Sequence, residues 1–192
     1  MSEKWRSVTA SAPAKVILHG EHSVVYGKLA LAASIDLRTR VTINLSKKQR
    51  CGNLRVNLLN YSKNSLEFDL GLLSAFECKD SSKEKLDEDL KEDLSQIVSD
   101  KNVEKHLESG LVALLYLCVA FFKESKQDLV PLEITVDSDI PMGAGLGSSA
   151  AFSVALAAAL NSLIPLKKAD KDAICHWAFM SEKIIHGNPS GN

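Results

Sequence analysis

The stretch that most constrains this chain runs from Leu132 to Leu163. Leu132-Glu133-Ile134-Thr135-Val136-Asp137 alternates apolar and polar side chains, which predicts a strand with one buried face. Ala150 to Leu163 is rich in Ala and Leu and free of Pro and Gly, which predicts a helix. Between them lies Ile140-Pro141-Met142-Gly143-Ala144-Gly145-Leu146-Gly147-Ser148-Ser149. Glycine has no Cβ, so a backbone with Gly143, Gly145 and Gly147 can turn tightly and approach a ligand closely. Ser148 and Ser149 stand where the helix begins, and serine is a favoured N-cap. The free N–H groups and positive dipole end of such a helix make an anion site suited to phosphate. Taken alone, the glycines also fit a plain turn between strand and helix. No Gly-Lys-Ser/Thr ends the loop, so it is not a Walker A loop, and the Gly-x-Gly-x-Gly spacing misses the dinucleotide fingerprint.

With 192 residues the chain has room for one ordinary domain or two small ones. Its 45% hydrophobic and 24% charged residues are the balance of a soluble globular protein. A net charge of -1 gives no bulk attraction to nucleic acid or to an anionic membrane, so neither is expected as a partner. Cys51, Cys78, Cys118 and Cys175 are far apart and form no C-x-x-C pair, so they read as reduced thiols. Leu111 to Phe122 is strongly apolar but too short for a bilayer, and reads as a buried core helix. Met1 to Arg6 lacks the apolar core of a secretory signal, and Ser190-Gly191-Asn192 is not a peroxisomal address. A cytoplasmic location is the expectation.

Taken in order, Arg6 to Ser11 predicts a short strand ended by Pro13, and Lys15 to Leu18 a second, buried one broken at Gly20. Leu29 to Ile35 is too small and apolar to classify. Arg38 to Leu45, Asn53 to Leu59 and Ser65 to Leu70 read as strands, and the turn signals between them predict an antiparallel meander. Lys79 to Asp100 carries Leu86, Leu90 and Leu94 on one stripe of a solvated helix. Val103 to Lys123 and Asp172 to Ile185 are further helices, the last stopped by Gly187 and Pro189. Strands first and helices mainly later predict the α+β class.

Lys15 opens an apolar stretch and is either a solvated charge or a cation aimed at a phosphate or a nucleophile's oxygen. His19, Glu21 and His22 crowd Gly20; they lack further ligands for a metal and read as a polar loop lining a substrate, or as ordinary loop hydrogen bonding. Glu182 and His186 are four apart, hence on one helix face. A structural pair and a carboxylate for Mg²⁺ both fit that spacing.

Three of these stretches together resemble the mevalonate kinases of the GHMP kinase superfamily. They are Ser11-Ala12-Pro13-Ala14-Lys15-Val16-Ile17-Leu18-His19-Gly20-Glu21-His22, Pro141 to Ala151, and Glu182-Lys183-Ile184-Ile185-His186-Gly187-Asn188-Pro189-Ser190-Gly191. The resemblance implies a two-layer GHMP kinase N-terminal domain, of the ribosomal protein S5 domain 2-like fold, over residues 1–192. It implies transfer of the γ-phosphoryl of ATP to mevalonate, with Mg²⁺, in isoprenoid and sterol synthesis. Pro141, Gly143, Ala144, Gly145, Leu146, Gly147, Ser148 and Ser149 would bind ATP; Ser148 and Glu182 would hold Mg²⁺. Lys15 would be catalytic, favouring the deprotonated substrate hydroxyl, and His22 and Ser190 would seat mevalonate. A homodimer is the family expectation. In the family a catalytic Asp follows this last motif after one residue, and a C-terminal domain forms the other wall of the cleft. The sequence reaches Asn192, so the expectation is an N-terminal ATP-binding domain truncated before that C-terminal domain. A non-catalytic isoform that binds nucleotide, or pairs with full-length kinase, is the alternative. Ala14 and Met142 depart from the Gly and second Pro common at those places.

Overall fold

The computed structural model describes residues 6–23, 26–45, 52–61, 64–77, 86–164 and 171–187. Five strands form one sheet: β1 (Arg6–His19), β2 (Leu31–Leu45), β3 (Asn53–Leu58), β4 (Leu66–Asp69) and β5 (Leu132–Ser138). Their spatial order is β1-β2-β5-β3-β4. The helices are α1 (Leu70–Ala75), α2 (Glu88–Ser99), α3 (Lys105–Glu124), α4 (Ser148–Leu163) and α5 (Lys171–His186). The expected α+β class is what forms.

One face of the sheet is buried and the other meets water. Leu132, Ile134 and Val136 of β5, Val41 and Ile43 of β2, and Leu54 and Val56 of β3 all point into the core. The opposite face is polar, with Thr9 and Thr42 hydroxyls 2.9 Å apart and Asn57 donating to Glu133. Period-2 alternation in the sequence is therefore the direct cause of the layer arrangement. α4 packs on β1 and β2, and α3 packs against α2, α4 and α5. Every residue of α3 from Leu111 to Phe122 is buried, as expected of a helix that is apolar all round. By length and composition α3 is also apolar enough to cross a membrane, but here it forms the centre of the helical layer.

Two expectations are corrected. The strands do not form a meander: β5 inserts between β2, to which it is antiparallel, and β3, to which it is parallel. A parallel pair needs a long crossover, which here is the whole segment from β4 through α3. Local turn signals specify hairpins such as β3–β4 and carry nothing about such an insertion. Second, Pro13 does not divide the first strand. β1 is an edge strand and its register shifts between Pro13 and Ala14, so the missing N–H is tolerated there. The stretch Leu29 to Ile35, which the sequence leaves unclassified, supplies the first part of β2 from Leu31 onward.

α2 carries Leu90 and Leu94 of the expected stripe and extends it with Val98, while Leu86 precedes the helix, whose N-cap Asp87 accepts from the Leu90 N–H. Residues 78–85, which include the start of the expected charged helix, lie outside the described residues, as do Cys51 and Cys78. Cys118 is fully buried, and burial pushes its thiol up to about 12, while Cys175 is exposed. The thiolate is the reactive form. Alkylation of the native protein at neutral pH is therefore expected to label Cys175 and to spare Cys118 until denaturant is added. Peptide mass mapping reads this directly, and native labelling of Cys118 would show that α3 is not packed as described.

Candidate functional site

A cavity of about 510 Å³ opens between the loop after β5, the start of α3 and the end of α5. Its inner wall is apolar, with buried Leu107, Leu111, Leu114 and Val136. Its rim is the loop itself, Pro141 to Gly147, continued by Ser148, Ser149 and His186. An apolar slot that ends in a rim of backbone N–H groups fits a flat apolar group carrying an anion.

The loop is anchored at both ends. At the β5 end, Ser138 Oγ lies 2.7 Å from Thr39 Oγ1 and accepts from the Ile140 N–H at 3.2 Å. The Ser138 N–H donates to Asn60 Oδ1 at 3.1 Å, and the Asp139 N–H to the Arg38 carbonyl at 2.9 Å. Arg40 Nη1 donates to Asp139 Oδ2 at 2.9 Å, and that carboxylate raises the guanidinium pKa above its usual value. Between the anchors, Gly143, Gly145 and Gly147 take φ of 72°, 71° and 73°.

At the helix end the serine cap is corrected. Gly147, in the left-handed region, is the N-cap of α4, and no side chain caps the helix. The Ala151 N–H bonds back to the Gly147 carbonyl at 3.0 Å. Ser148 and Ser149 are thus the first two helical residues. Their N–H groups are among those an α-helix leaves without an internal partner, and with no side-chain cap they remain available to an anion.

Lys15 meets this loop from β1. Its backbone N–H donates to the Leu146 carbonyl at 2.9 Å. Its stem runs along Gly147: a Cβ placed on that glycine would lie 3.1 Å from Lys15 Cγ and 3.4 Å from Cε. Gly147 is therefore the position where both a positive φ and close side-chain contact exclude a larger residue. The Lys15 side chain is exposed, and among the described residues its ammonium has no ion pair.

The other expected residues sit further out. His22, on the turn after β1, has its side chain 97% exposed and lies 3.8 Å from Glu21. Ser190 lies outside the described residues. Glu182 is buried between α5 and α4, where its Oε1 faces Ser153 Oγ at 3.5 Å. Among the described residues no cluster of three or more His, Cys, Asp or Glu could hold a metal, so His19, Glu21 and His22 form none. Ser148 and Glu182 do offer a hydroxyl and a carboxylate, the hard oxygen donors Mg²⁺ takes. Glu182 is a buried carboxylate with no cation within 4 Å among the described residues. Ser148 lines the cavity, whereas Glu182 lies between α5 and α4 on Ser153, so the two offer the right kind of donor from separate places.

Sequence reasoning missed the α3 side of the cavity, where His106, Ser109 and Gly110 join Tyr61 in the lining. The start of α3 carries no chemical signature. Its apolar middle identifies it as core and hides the fact that its first turns border a site.

Residues 113–192 match the family described as GHMP kinases N terminal domain. The fold agrees with the crystal structure of the Methanococcus jannaschii mevalonate kinase at a TM-score of 0.67 and 22% identity, over 99% of this chain and 50% of that one. It also agrees with the galactokinase of Lactococcus lactis at 0.59 and 19%, over 97% and 40%. Over residues 113–192 the chain is similar to GHMP kinase N-terminal domains. In sequence it is similar to the mevalonate kinase of Mus musculus, at 39% identity over 96% of this chain and 50% of that protein. The Homo sapiens and Arabidopsis thaliana mevalonate kinases are 39% and 36% identical, over 94% and 96% of this chain and 49% and 53% of theirs. The chain thus spans about half the length of the curated relatives it matches.

Proposed function

We propose that this domain is the ATP-binding part of a mevalonate kinase, which transfers the γ-phosphoryl of ATP to the 5-hydroxyl of mevalonate. The observation that carries the reading is the glycine loop with the Lys15 stem laid on Gly147, at the rim of a cavity of nucleotide-accommodating size. Similarity to mevalonate kinases along nearly the whole chain supports the choice of acceptor.

Phosphoryl transfer is mainly positioning and charge stabilisation. The loop and the first-turn N–H groups of α4 would cradle the phosphates, and the apolar wall would take the base. Ser148 and Glu182 would hold Mg²⁺, which when bound neutralises phosphate charge. The Lys15 ammonium would favour the ionised form of the attacking hydroxyl and stabilise charge in the transition state. His22 and Ser190 would seat mevalonate.

The test has two arms. Calorimetric titration of the chain with ATP and Mg²⁺ is expected to show one nucleotide site. Joined to the C-terminal half of a mevalonate kinase relative, the chain is expected to release ADP only when mevalonate is present. ADP release that galactose or homoserine supports and mevalonate does not would overturn the choice of acceptor.

Gly147→Ala is expected to weaken ATP binding at least tenfold. A non-glycine residue at φ +73° costs about 1–2 kcal/mol, and the new methyl pushes on the Lys15 stem as well. Calorimetry on the variant reads the loss, and unchanged affinity would mean that this loop end does not meet the phosphates.

A further inference from the structure

α4 and α5 run antiparallel and are tied by two polar contacts one helical turn apart. At the buried contact Ser153 Oγ donates to Ser181 Oγ at 2.8 Å and faces Glu182 Oε1 at 3.5 Å. At the outer contact His186 Nε2 and Ser149 Oγ are 2.9 Å apart. Both residues of this outer pair border the cavity. The buried contact, with Trp177 and Ile184 in the core, already docks α5. The outer one is therefore not needed to hold the helices together, and what it controls is the hydroxyl in the first turn of α4.

A serine hydroxyl rotates among three staggered positions, and in a helix it can also turn back onto the preceding turn's carbonyl. A ring nitrogen at 2.9 Å selects one position and uses one hydrogen-bonding direction of the oxygen. The remaining directions stay free for a group in the cavity. The ring itself is carried on a finished helix end, because Gly187, at φ 74°, closes α5 with its N–H on the Lys183 carbonyl at 2.8 Å.

We propose that His186 is a positioning residue for the phosphate end of the cavity, acting through Ser149 to fix the hydroxyl that meets the phosphates of a bound nucleoside triphosphate. This rests on the reading of the cavity as a nucleotide site. Side-chain reach provides the means to distinguish it from a surface hydrogen bond of no consequence. Nε2 lies three bonds from Cβ, and the amide end of glutamine lies at the same reach, whereas that of asparagine is one bond short.

The experiment is titration of the full chain and its variants with ATP and Mg²⁺, with thermal unfolding of each as a control. His186→Ala and His186→Asn are each expected to weaken ATP about five- to tenfold, the worth of one ordinary intramolecular hydrogen bond, at nearly unchanged unfolding midpoint. His186→Gln is expected to regain most of that affinity. Ser149→Ala is expected to lose a similar factor, and adding His186→Ala to it to cost nothing more, because the histidine acts through that hydroxyl. Asparagine equal to glutamine, or a full additional loss in the Ser149→Ala background, would overturn the proposal. So would ATP binding that ignores His186→Ala, and that result leaves the nucleotide reading standing. No ATP binding by the unsubstituted chain overturns both.

Discussion

Replacing Trp177 with alanine is expected to lower the unfolding free energy by about 3–5 kcal/mol, the usual range for deleting a buried indole. In a chain of this size that is a fall of roughly 6–20 °C in unfolding midpoint. Trp177 is 2% exposed, on the face of α5 that meets α3. Its ring centroid lies 4.8 Å from that of Phe121, tilted by 41°, and 5.5 Å from His176 edge-on. Phe121 is itself fully buried in the middle of α3, so little around the indole can collapse into the space it leaves. Trp177→Phe keeps an aromatic contact with Phe121 and is expected to cost less than half as much. The effect reaches the site, because α5 carries Glu182 and His186 to α4. A loosened α5 should therefore weaken ATP binding as well, and binding should in turn raise the midpoint of the variant by mass action. Circular dichroism melts with and without ATP read both quantities. A loss below about 1 kcal/mol would mean that α5 is not docked on α3 as described.

The parts of this fold that were legible in the sequence are those whose signal is local. Leu132 to Asp137 alternates because β5 has one buried and one polar face, and Leu111 to Phe122 is apolar throughout because α3 is covered on all sides. What was not legible depends on partners far along the chain. Pro13 reads as a strand end unless β1 is known to be an edge, and edge position is set by pairing with β2. The insertion of β5 between β2 and β3 is likewise a tertiary choice with no local marker. α1 has six residues, too few to show a helical period, and its visible cue is Asp69 accepting from the Leu72 N–H. At the site, the glycine loop was legible because three glycines and two serines at a helix start carry a physical meaning. The serine cap was misread because the loop arrives at α4 in the left-handed region, a conformation that glycine takes at little cost and serine does not. The stem of Lys15 on Gly147 joins residues 132 positions apart, and only the folded chain brings them together.

Lys15→Met is expected to lower mevalonate-dependent turnover about 10²–10³-fold, with ATP affinity nearly unchanged, in the chain extended by a relative's C-terminal half. The two halves of that expectation come from two parts of one side chain. The backbone N–H of residue 15 holds the Leu146 carbonyl whatever the side chain is, and methionine's unbranched stem can lie on Gly147 as lysine's does. The loop should therefore keep its shape and its hold on the phosphates. What methionine removes is the ammonium, the charge that would stabilise an ionising hydroxyl next to the transferred phosphoryl. Lys15→Ala removes the stem too, so it is expected to lose turnover and to weaken ATP as well, because the loop end at Gly147 loses its lateral support. Comparing the two variants separates charge from packing: kcat should fall in both, and ATP affinity in alanine alone. Lys15→Met that retains more than about a tenth of the turnover would show that the cation on β1 is a solvated charge, and that the attacking hydroxyl is activated from elsewhere in the cleft.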